Sequence, residues 1–390
     1  MRERRRALPQ RVLLIFGTRP EAIKLAPVHA AFSKRPELFD VKVCVTAQHR
    51  ELLDQVLEIF QIEPDVDLDL MQPGQRLVQL AAAALQGVDR AFDELEPGLV
   101  IVQGDTSTTL AAALSAFYRE IPLAHVEAGL RTGQRHVPFP EEVNRRLTSV
   151  LADWHFAPTE RARRALLEEG VPPERVFVTG NTVVDALHMT VARLETLRPL
   201  ETLALPLDPS KHLLLLTTHR RESFDGGIEQ ICRAVAEIAL RPDVEIVFPV
   251  HPNPNVRRPA GDLLEGLPGV HLTPPLGYPQ FVALLARSHL VLTDSGGVQE
   301  EAPSLAKPVV VMRETTERPE VVEAGGAVLV GTDRQRIVAE VTALLDDPER
   351  YRQMAQARNP FGTGDAAERI AEILVRVLGL FPAKESPCWS

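Results

Sequence analysis

Short runs of Val, Leu and Ile recur along the chain, separated by longer segments in which apolar residues return every three or four positions. Runs of the first kind suit strands covered on both faces, and segments of the second kind suit helices with one apolar stripe. Their alternation from one end to the other predicts parallel sheets assembled from strand–helix–strand units, an α/β fold. Strands are expected at 12–16 (VLLIF), 41–46, 99–103 (LVIVQ), 122–127 and 175–179, then at 212–218, 244–250, 289–293 and 308–312. Helices are expected at 75–95, at 106–118 behind a capping Thr or Ser, and at 365–380.

With 390 residues the chain exceeds what one compact core usually holds, so two domains are expected. The segment 196–211 carries three prolines and keeps neither period, which reads as a connecting loop. A boundary slightly before it predicts a first Rossmann-like domain over 1–180 and a second over 181–364, with a helix at 365–382 packing back on the first. The two sheets are expected to face a central cleft.

Composition narrows the function. Lys and Arg number 43 against 53 Asp and Glu, a net charge of −10, which argues against coating a nucleic acid. The three cysteines form neither a C-x-x-C pair nor an even set, which fits a reducing cytoplasm. The basic N-terminus runs into an apolar stretch too short for a signal peptide, and no stretch is long enough to span a membrane. Neither a zinc nor a calcium spacing is present, nor the glycine fingerprint of a dinucleotide fold, so neither a metal nor another cofactor is expected.

In parallel sheets ligands bind beyond the carboxyl ends of the strands, so the residues just after each strand matter most. The first strand leads into Gly17, expected to turn tightly, with Arg19 and Lys24 as cations for a phosphate or carboxylate. Asp105 follows LVIVQ, Glu127 follows PLAHV, and PFPEEVNRR adds Glu141, Glu142 and Arg145. Carboxylates brought together raise one another's pKa, which suits acid–base work near neutrality; singly, each is as well explained as a cap or an ion pair. In the second half His219 and Arg220 follow a strand, and His251 follows another in a proline-stiffened turn. The strongest local signal is LTDSGGVQEEAP: Ser295, Gly296 and Gly297 precede a helix expected from Val298 onward, with Glu300 and Glu301 one turn further in. Glycines and a helix start form a cradle for a diphosphate, a carboxylate beyond it can take a ribose diol, and Thr315, Thr316 and Arg318 could close over the same anion.

On these residues the chain resembles the non-hydrolysing UDP-N-acetylglucosamine 2-epimerases of bacteria. The resemblance rests on FGTRPEAIK, VTAQHRELLDQVL, VQGDTSTTLAAAL, HVEAGLRTG, PFPEEVNRRLTS, VTGNTVVDAL, TTHRRESF, VHPNPNV, TDSGGVQEEAPSLAKPV and RETTERPE, which run in order through almost the whole chain. It implies a glycosyltransferase-B-like pair of domains, a UDP-sugar substrate and a homodimer. It also implies UDP contacts from Arg19, Lys24, His219, Phe281, Ser295, Gly296, Gly297, Glu301 and Arg318, with catalytic roles for Asp105, Glu127, Glu141 and His219. Gln48, Glu51, Glu141, Arg220 and His251 match a second, allosteric sugar-nucleotide site of some members. Ser223 replaces the family's common Asn, and Gly74 stands where regulated members can carry an arginine, which weakens the case for that control.

The reaction implied is interconversion with UDP-N-acetylmannosamine through a glycal, supplying mannosamine-type sugars for cell-surface polysaccharide. Four other readings stay open: a hydrolysing 2-epimerase, an epimerase of another UDP-2-acetamido sugar, a retaining glycosyltransferase of the same architecture, against which the three carboxylates favour proton chemistry without an acceptor, and a UDP-sugar sensor without catalysis.

Overall fold

The computed structural model describes residues 9–46, 50–71, 74–203 and 205–380, with the backbone alone for 50–52. The chain forms two compact units, the first running to Ala186 and resuming at Phe361, the second spanning Leu187–Pro360. The helix Thr182–Val191 straddles the first division.

The first unit holds seven parallel strands: β1 (Gln10–Phe16), β2 (Phe39–Val45), β3 (Val66–Asp67), β4 (Leu99–Gln103), β5 (Leu123–Val126), β6 (Trp154–Ala157) and β7 (Val176–Val178). They lie in the order β3-β2-β1-β4-β5-β6-β7. The second holds six, again parallel: β8 (His212–Thr217), β9 (Val244–Pro249), β10 (Val270–Thr273), β11 (Leu290–Thr293), β12 (Val309–Val311) and β13 (Ala327–Leu329), in the order β10-β9-β8-β11-β12-β13. Each sheet grows outward from its first strand in one direction and then in the other. The reversal falls between β1 and β4 in one unit and between β8 and β11 in the other, where such folds open a crevice. Central strands are buried on both faces, as their unbroken apolar runs require: Val12, Leu13 and Leu14 of β1 are fully inaccessible.

Four strands have no counterpart in the sequence reading. β3, β10 and β13 lie at or beside sheet edges, and β6 is WHFA; each has two to four residues without a β-branched run, so pairing with a longer neighbour decides them. The segment 196–211 is also not wholly irregular, since a helical turn extends to Leu197 and a 3₁₀ turn follows at Glu201–Leu203. Among the described residues no helix is long and apolar enough to cross a membrane.

The returning chain is tied down at two points. Asn181 donates its amide to the Phe361 carbonyl at 2.7 Å, and Asp185 Oδ1 accepts from the Ala367 amide at 2.9 Å, capping the helix Ala366–Val377. That helix packs on Arg19–Ser33, with Arg35 and Glu368 paired at 2.7 Å. The cap is costly when charged. Asp185 is buried, its Oδ2 finds no hydrogen-bond partner among the described residues, and burial raises its pKa to about 6 against the opposing pull of the Ala366 and Ala367 amides.

A carboxyl group whose pKa is higher in the folded chain contributes stability that is complete below its unfolded value of 3.8 and lost as pH rises through about 6. Asp185→Asn is therefore expected to gain on the native protein between pH 3.5 and 7.5, by up to about 3 kcal/mol of relative stability for a shift of this size. Denaturant unfolding of both proteins at the two pH values measures the difference, and equal pH dependence would reject the assignment.

Candidate functional site

In the first unit the loops after β1, β4 and β5 meet the helix Glu141–Leu151. Gly17, expected to turn tightly, does so without a positive φ. Its small size matters instead, because a Cβ there would lie 2.0 Å from Thr46 Oγ1 and 2.6 Å from Thr108 Oγ1, two buried hydroxyls bonded to each other at 2.7 Å. Thr18 then caps the helix Arg19–Ser33. Glu21, buried in its first turn, accepts from the Gly17 and Thr18 amides at 3.0 and 2.8 Å and from the Thr106 and Thr109 hydroxyls at 2.6 and 3.0 Å. One carboxylate thus locks the Arg19 loop to the Asp105 loop, which are the two strand ends at the sheet's reversal.

Glu127 sits just after β5 with φ of 62°, a left-handed conformation that costs a residue with a side chain on the order of 1 kcal/mol. Its carboxylate is held from several sides. Lys24 Nζ reaches its two oxygens at 2.7 and 2.5 Å, Asn181 Nδ2 donates at 3.1 Å, and the Gln103 amide donates as well. The Lys24 ammonium, for which the sequence leaves a phosphate or a carboxylate open, meets the carboxylate of a catalytic candidate here. Asp105 is gripped from the helix Glu141–Leu151, with Arg145 at 3.1 Å from its carboxylate and Asn144 Nδ2 donating to its carbonyl at 2.9 Å. The buried His125 reaches the preceding Gly104 carbonyl through Nε2 at 2.7 Å and helps to fix that turn.

Burial raises the Asp105 pKa to about 6; Arg145 and Lys24 oppose the rise, while Glu127 and Glu141 add to it. The side chain keeps 27% of its surface accessible, so this carboxyl group can exchange protons near neutrality. Asp105, Glu127 and Glu141 are thus brought within electrostatic reach of one another. Gln103, Asn144 and Asn181 are residues that the sequence reading passed over. The available signal was that each is polar and lies at or just beyond a strand's carboxyl end or in the first turn of the PEEVNRR helix.

In the second unit the gathering point is the end of β8, β9 and β11. The helix after β11 spans Gly296–Glu301, so both glycines lie inside its first turn and not before it. Amides of a first turn have no acceptor within the helix. A Cβ on Gly296 would make only ordinary contacts, 3.8 Å to Arg220 and 3.9 Å to Arg318, and one on Gly297 would come no nearer than 4.0 Å to Ser295. Packing alone does not demand glycine at either position.

Glu300 and Glu301, offered together by the sequence, divide here. Glu300 is fully buried and paired with Arg318, whereas Glu301 accepts from the Tyr278 hydroxyl at 3.0 Å. The loop carrying Arg318 is pinned to the same helix by Thr316 Oγ1 donating to Gln299 at 2.6 Å. Phe281 is half-buried one turn from Tyr278. The His219 ring stacks on that of His251 at 5.7 Å, and Arg220 stands at Gly296, so residues matched to a second site adjoin those matched to UDP. Gln48 lies outside the described residues, as does the Glu51 side chain. Arg313, also passed over, is buried behind this loop with Nε 2.5 Å from Glu222. Among the described residues no three His, Cys, Asp or Glu side chains gather as a metal site requires.

Residues 31–375 match the family model described as UDP-N-acetylglucosamine 2-epimerase. The chain is 55% identical to the UDP-N-acetylglucosamine 2-epimerase of Escherichia coli O157:H7 over 93% of its length and 98% of that protein's. The fold is similar to the crystal structure of the UDP-GlcNAc 2-epimerase of Neisseria meningitidis bound to UDP-GlcNAc, with a TM-score of 0.88 and 48% identity over 94% of this chain and all of that one. The Methanocaldococcus jannaschii enzyme in complex with UDP-GlcNAc and UDP is also similar, at a TM-score of 0.78 and 34% identity over 94% of this chain and all of that one.

The two glycine positions differ in what packing asks of them. Gly17→Ala is expected to destabilise the fold by about 1–3 kcal/mol, the usual cost of forcing a methyl into a packed site. Gly296→Ala is expected to leave the melting temperature nearly unchanged and, with UDP seated at this helix start as the resemblance implies, to weaken UDP binding by at least about tenfold. Calorimetric melting and UDP titration read both; a destabilised Gly296→Ala with native UDP affinity would remove Gly296 from the site.

Proposed function

The chain belongs to the UDP-N-acetylglucosamine 2-epimerase family, whose enzymes are isomerases, and from that premise we propose that it interconverts UDP-N-acetylglucosamine and UDP-N-acetylmannosamine without hydrolysis, through a 2-acetamidoglucal. The observation that carries this reading is the Asp105 carboxyl group, tuned to about 6 beside Glu127 and Glu141. The proton on C2 of the sugar is not adjacent to a carbonyl, so it cannot leave by simple enolisation. In the proposed step a base takes that proton, the C2–H electron pair becomes the C1=C2 bond, and the C1–O pair departs with UDP. Return of a proton to C2 from the opposite face, with a UDP oxygen re-forming the bond at C1, gives the epimer.

The residues divide by chemistry. Carboxylates of the first unit move protons, and Arg19 meets charge growing on the departing diphosphate. His219, the Ser295–Gly297 turn and Arg318 hold UDP, Phe281 lies against the uracil, and Glu301 takes the ribose. Lys24 acts through Glu127, whose charge it balances. Arg220, His251 and Glu141 are the described members of a second, allosteric sugar-nucleotide site in the same reading. The product's use in cell-surface polysaccharide belongs to this proposal, as does a cytoplasmic setting, in keeping with Cys44 and Cys232 being unpaired and buried.

The proposed partner is a second copy of this chain. The helix Ser107–Tyr118 packs between Leu77–Leu95 and Glu141–Leu151, and these three helices leave Val78, Phe117, Tyr118, Leu147 and Val150 exposed. Apolar side chains left open on adjoining helices mark a surface for association. Val150→Glu is expected to convert a dimer to a monomer in sedimentation velocity, and a native protein that sediments as a monomer would reject the proposal.

Purified protein in heavy water is expected to turn UDP-N-acetylglucosamine into a mixture with its mannosamine epimer, with deuterium entering at C2, as read by NMR. Stoichiometric release of free sugar with UDP would favour the hydrolysing alternative, and binding without turnover would favour the sensor. Glu127→Gln and Asp105→Asn are each expected to lower turnover by more than about 10²-fold while UDP affinity changes little. Loss of UDP binding in Glu127→Gln would reverse this assignment of roles.

A further inference from the structure

One side chain at the end of β11 has no place in the UDP contacts and yet organises them. Asp294 follows β11 directly and has no accessible surface. Its Oδ2 accepts from the Thr218 hydroxyl at 2.8 Å, the His219 amide at 2.8 Å and the Arg220 amide at 2.9 Å. Those three donors belong to the loop after β8, so Asp294 bridges the two strand ends at which this sheet reverses. Its Oδ1 has no hydrogen-bond partner among the described residues, and His219 Nδ1 stands 3.3 Å from it.

A carboxylate oxygen buried without a donor is expensive, and a buried charge with no partner more so. The imidazole beside it can relieve that cost only by carrying its proton on Nδ1, since a bare Nδ1 would set a lone pair against the oxygen. We infer that Asp294 is a positioning residue: it holds the neutral His219 as its Nδ1–H tautomer, so that the proton His219 takes up from solvent on meeting a diphosphate lies on Nε2, toward the ligand.

The surroundings make this uptake depend on the ligand. Burial lowers the His219 pKa, and Arg220, His251 and Arg313 lower it further, leaving Asp294 as the group that opposes them. Without an anion the ring is neutral and correctly oriented. A diphosphate oxygen at Nε2 supplies the second negative partner, and the imidazolium is then held at both nitrogens. The same logic orients histidines through a carboxylate at Nδ1 in other sites. This inference rests on the proposed contact between His219 and UDP.

The test uses full-length protein labelled with ¹⁵N at histidine, His219 being assigned from the signal missing in His219→Gln. In the ligand-free native protein, imidazole ¹⁵N spectra are expected to show a protonated Nδ1 and a bare Nε2. Titration calorimetry in buffers of differing ionisation enthalpy, at pH 7.5, is expected to show uptake of close to one proton on UDP binding. Asp294→Asn presents an amide N–H toward Nδ1. It is expected to move the proton to Nε2 in the spectrum, to abolish the uptake and to slow turnover at least about tenfold, with a melting temperature close to native.

A native protein with its proton on Nε2 would overturn the inference without any variant having to fold. So would an Asp294→Asn protein with native proton uptake and turnover within threefold of native. Should the native protein not bind UDP at all, the function proposed above fails, and the ligand-free spectrum still decides the role of Asp294.

Discussion

Each sheet of this protein reverses its strand order once, and at each reversal a buried carboxylate ties the two diverging strand ends together. Glu21 does this between the loops after β1 and β4, and Asp294 between those after β8 and β11. The physical need is the same in both places. Parallel strands end in loops whose amides and hydroxyls leave the sheet ladder, and in a buried setting those donors must find acceptors. One carboxylate meets several donors at once, each bond strengthened by its charge. The candidate chemistry hangs on these ties: Arg19 and Asp105 flank Glu21's partners, while His219 and Arg220 are themselves held by Asp294.

The first unit's carboxylates carry costs of their own. Glu127 occupies a left-handed backbone position, and Asp105 is pushed toward neutrality by burial against the pull of Arg145. Stability alone would favour a glycine at the first position and a neutral side chain at the second. The surrounding groups, Lys24, Gln103 and Asn181 at Glu127 and Arg145 at Asp105, offset the strain by fixing each carboxylate in one place. Residues so held lose little entropy when a substrate arrives, which is how a site becomes pre-organised.

Lys24, Arg220 and Glu300 illustrate how residue type and residue role separate. A lysine seven residues after Gly17 suits a phosphate as well as it suits a carboxylate, and only the position of Glu127 across the sheet decides. Glu300 and Glu301 are adjacent and chemically identical, but successive helix positions point about 100° apart, so one meets Arg318 and the other Tyr278. Arg220 and His251 look remote from the Ser-Gly-Gly turn in sequence, and parallel pairing brings their strand ends beside it.

The sequence by itself determined the α/β class, the long central strands, the capped helices and the strand ends at which polar residues collect. These are properties of periodicity and local backbone chemistry, readable within a dozen residues. The ordered motifs also sufficed for the family resemblance. Tertiary structure alone decided the short strands β3, β6, β10 and β13, the bond between Lys24 and Glu127, the reason for Gly17, and the carboxylate bridges of Glu21 and Asp294. Each depends on groups between 29 and 103 positions apart, or on a neighbour's backbone. No local pattern encodes such a pairing, because which strand ends meet is fixed by the order of strands in the sheet, and that order follows from how the helices bury both of its faces.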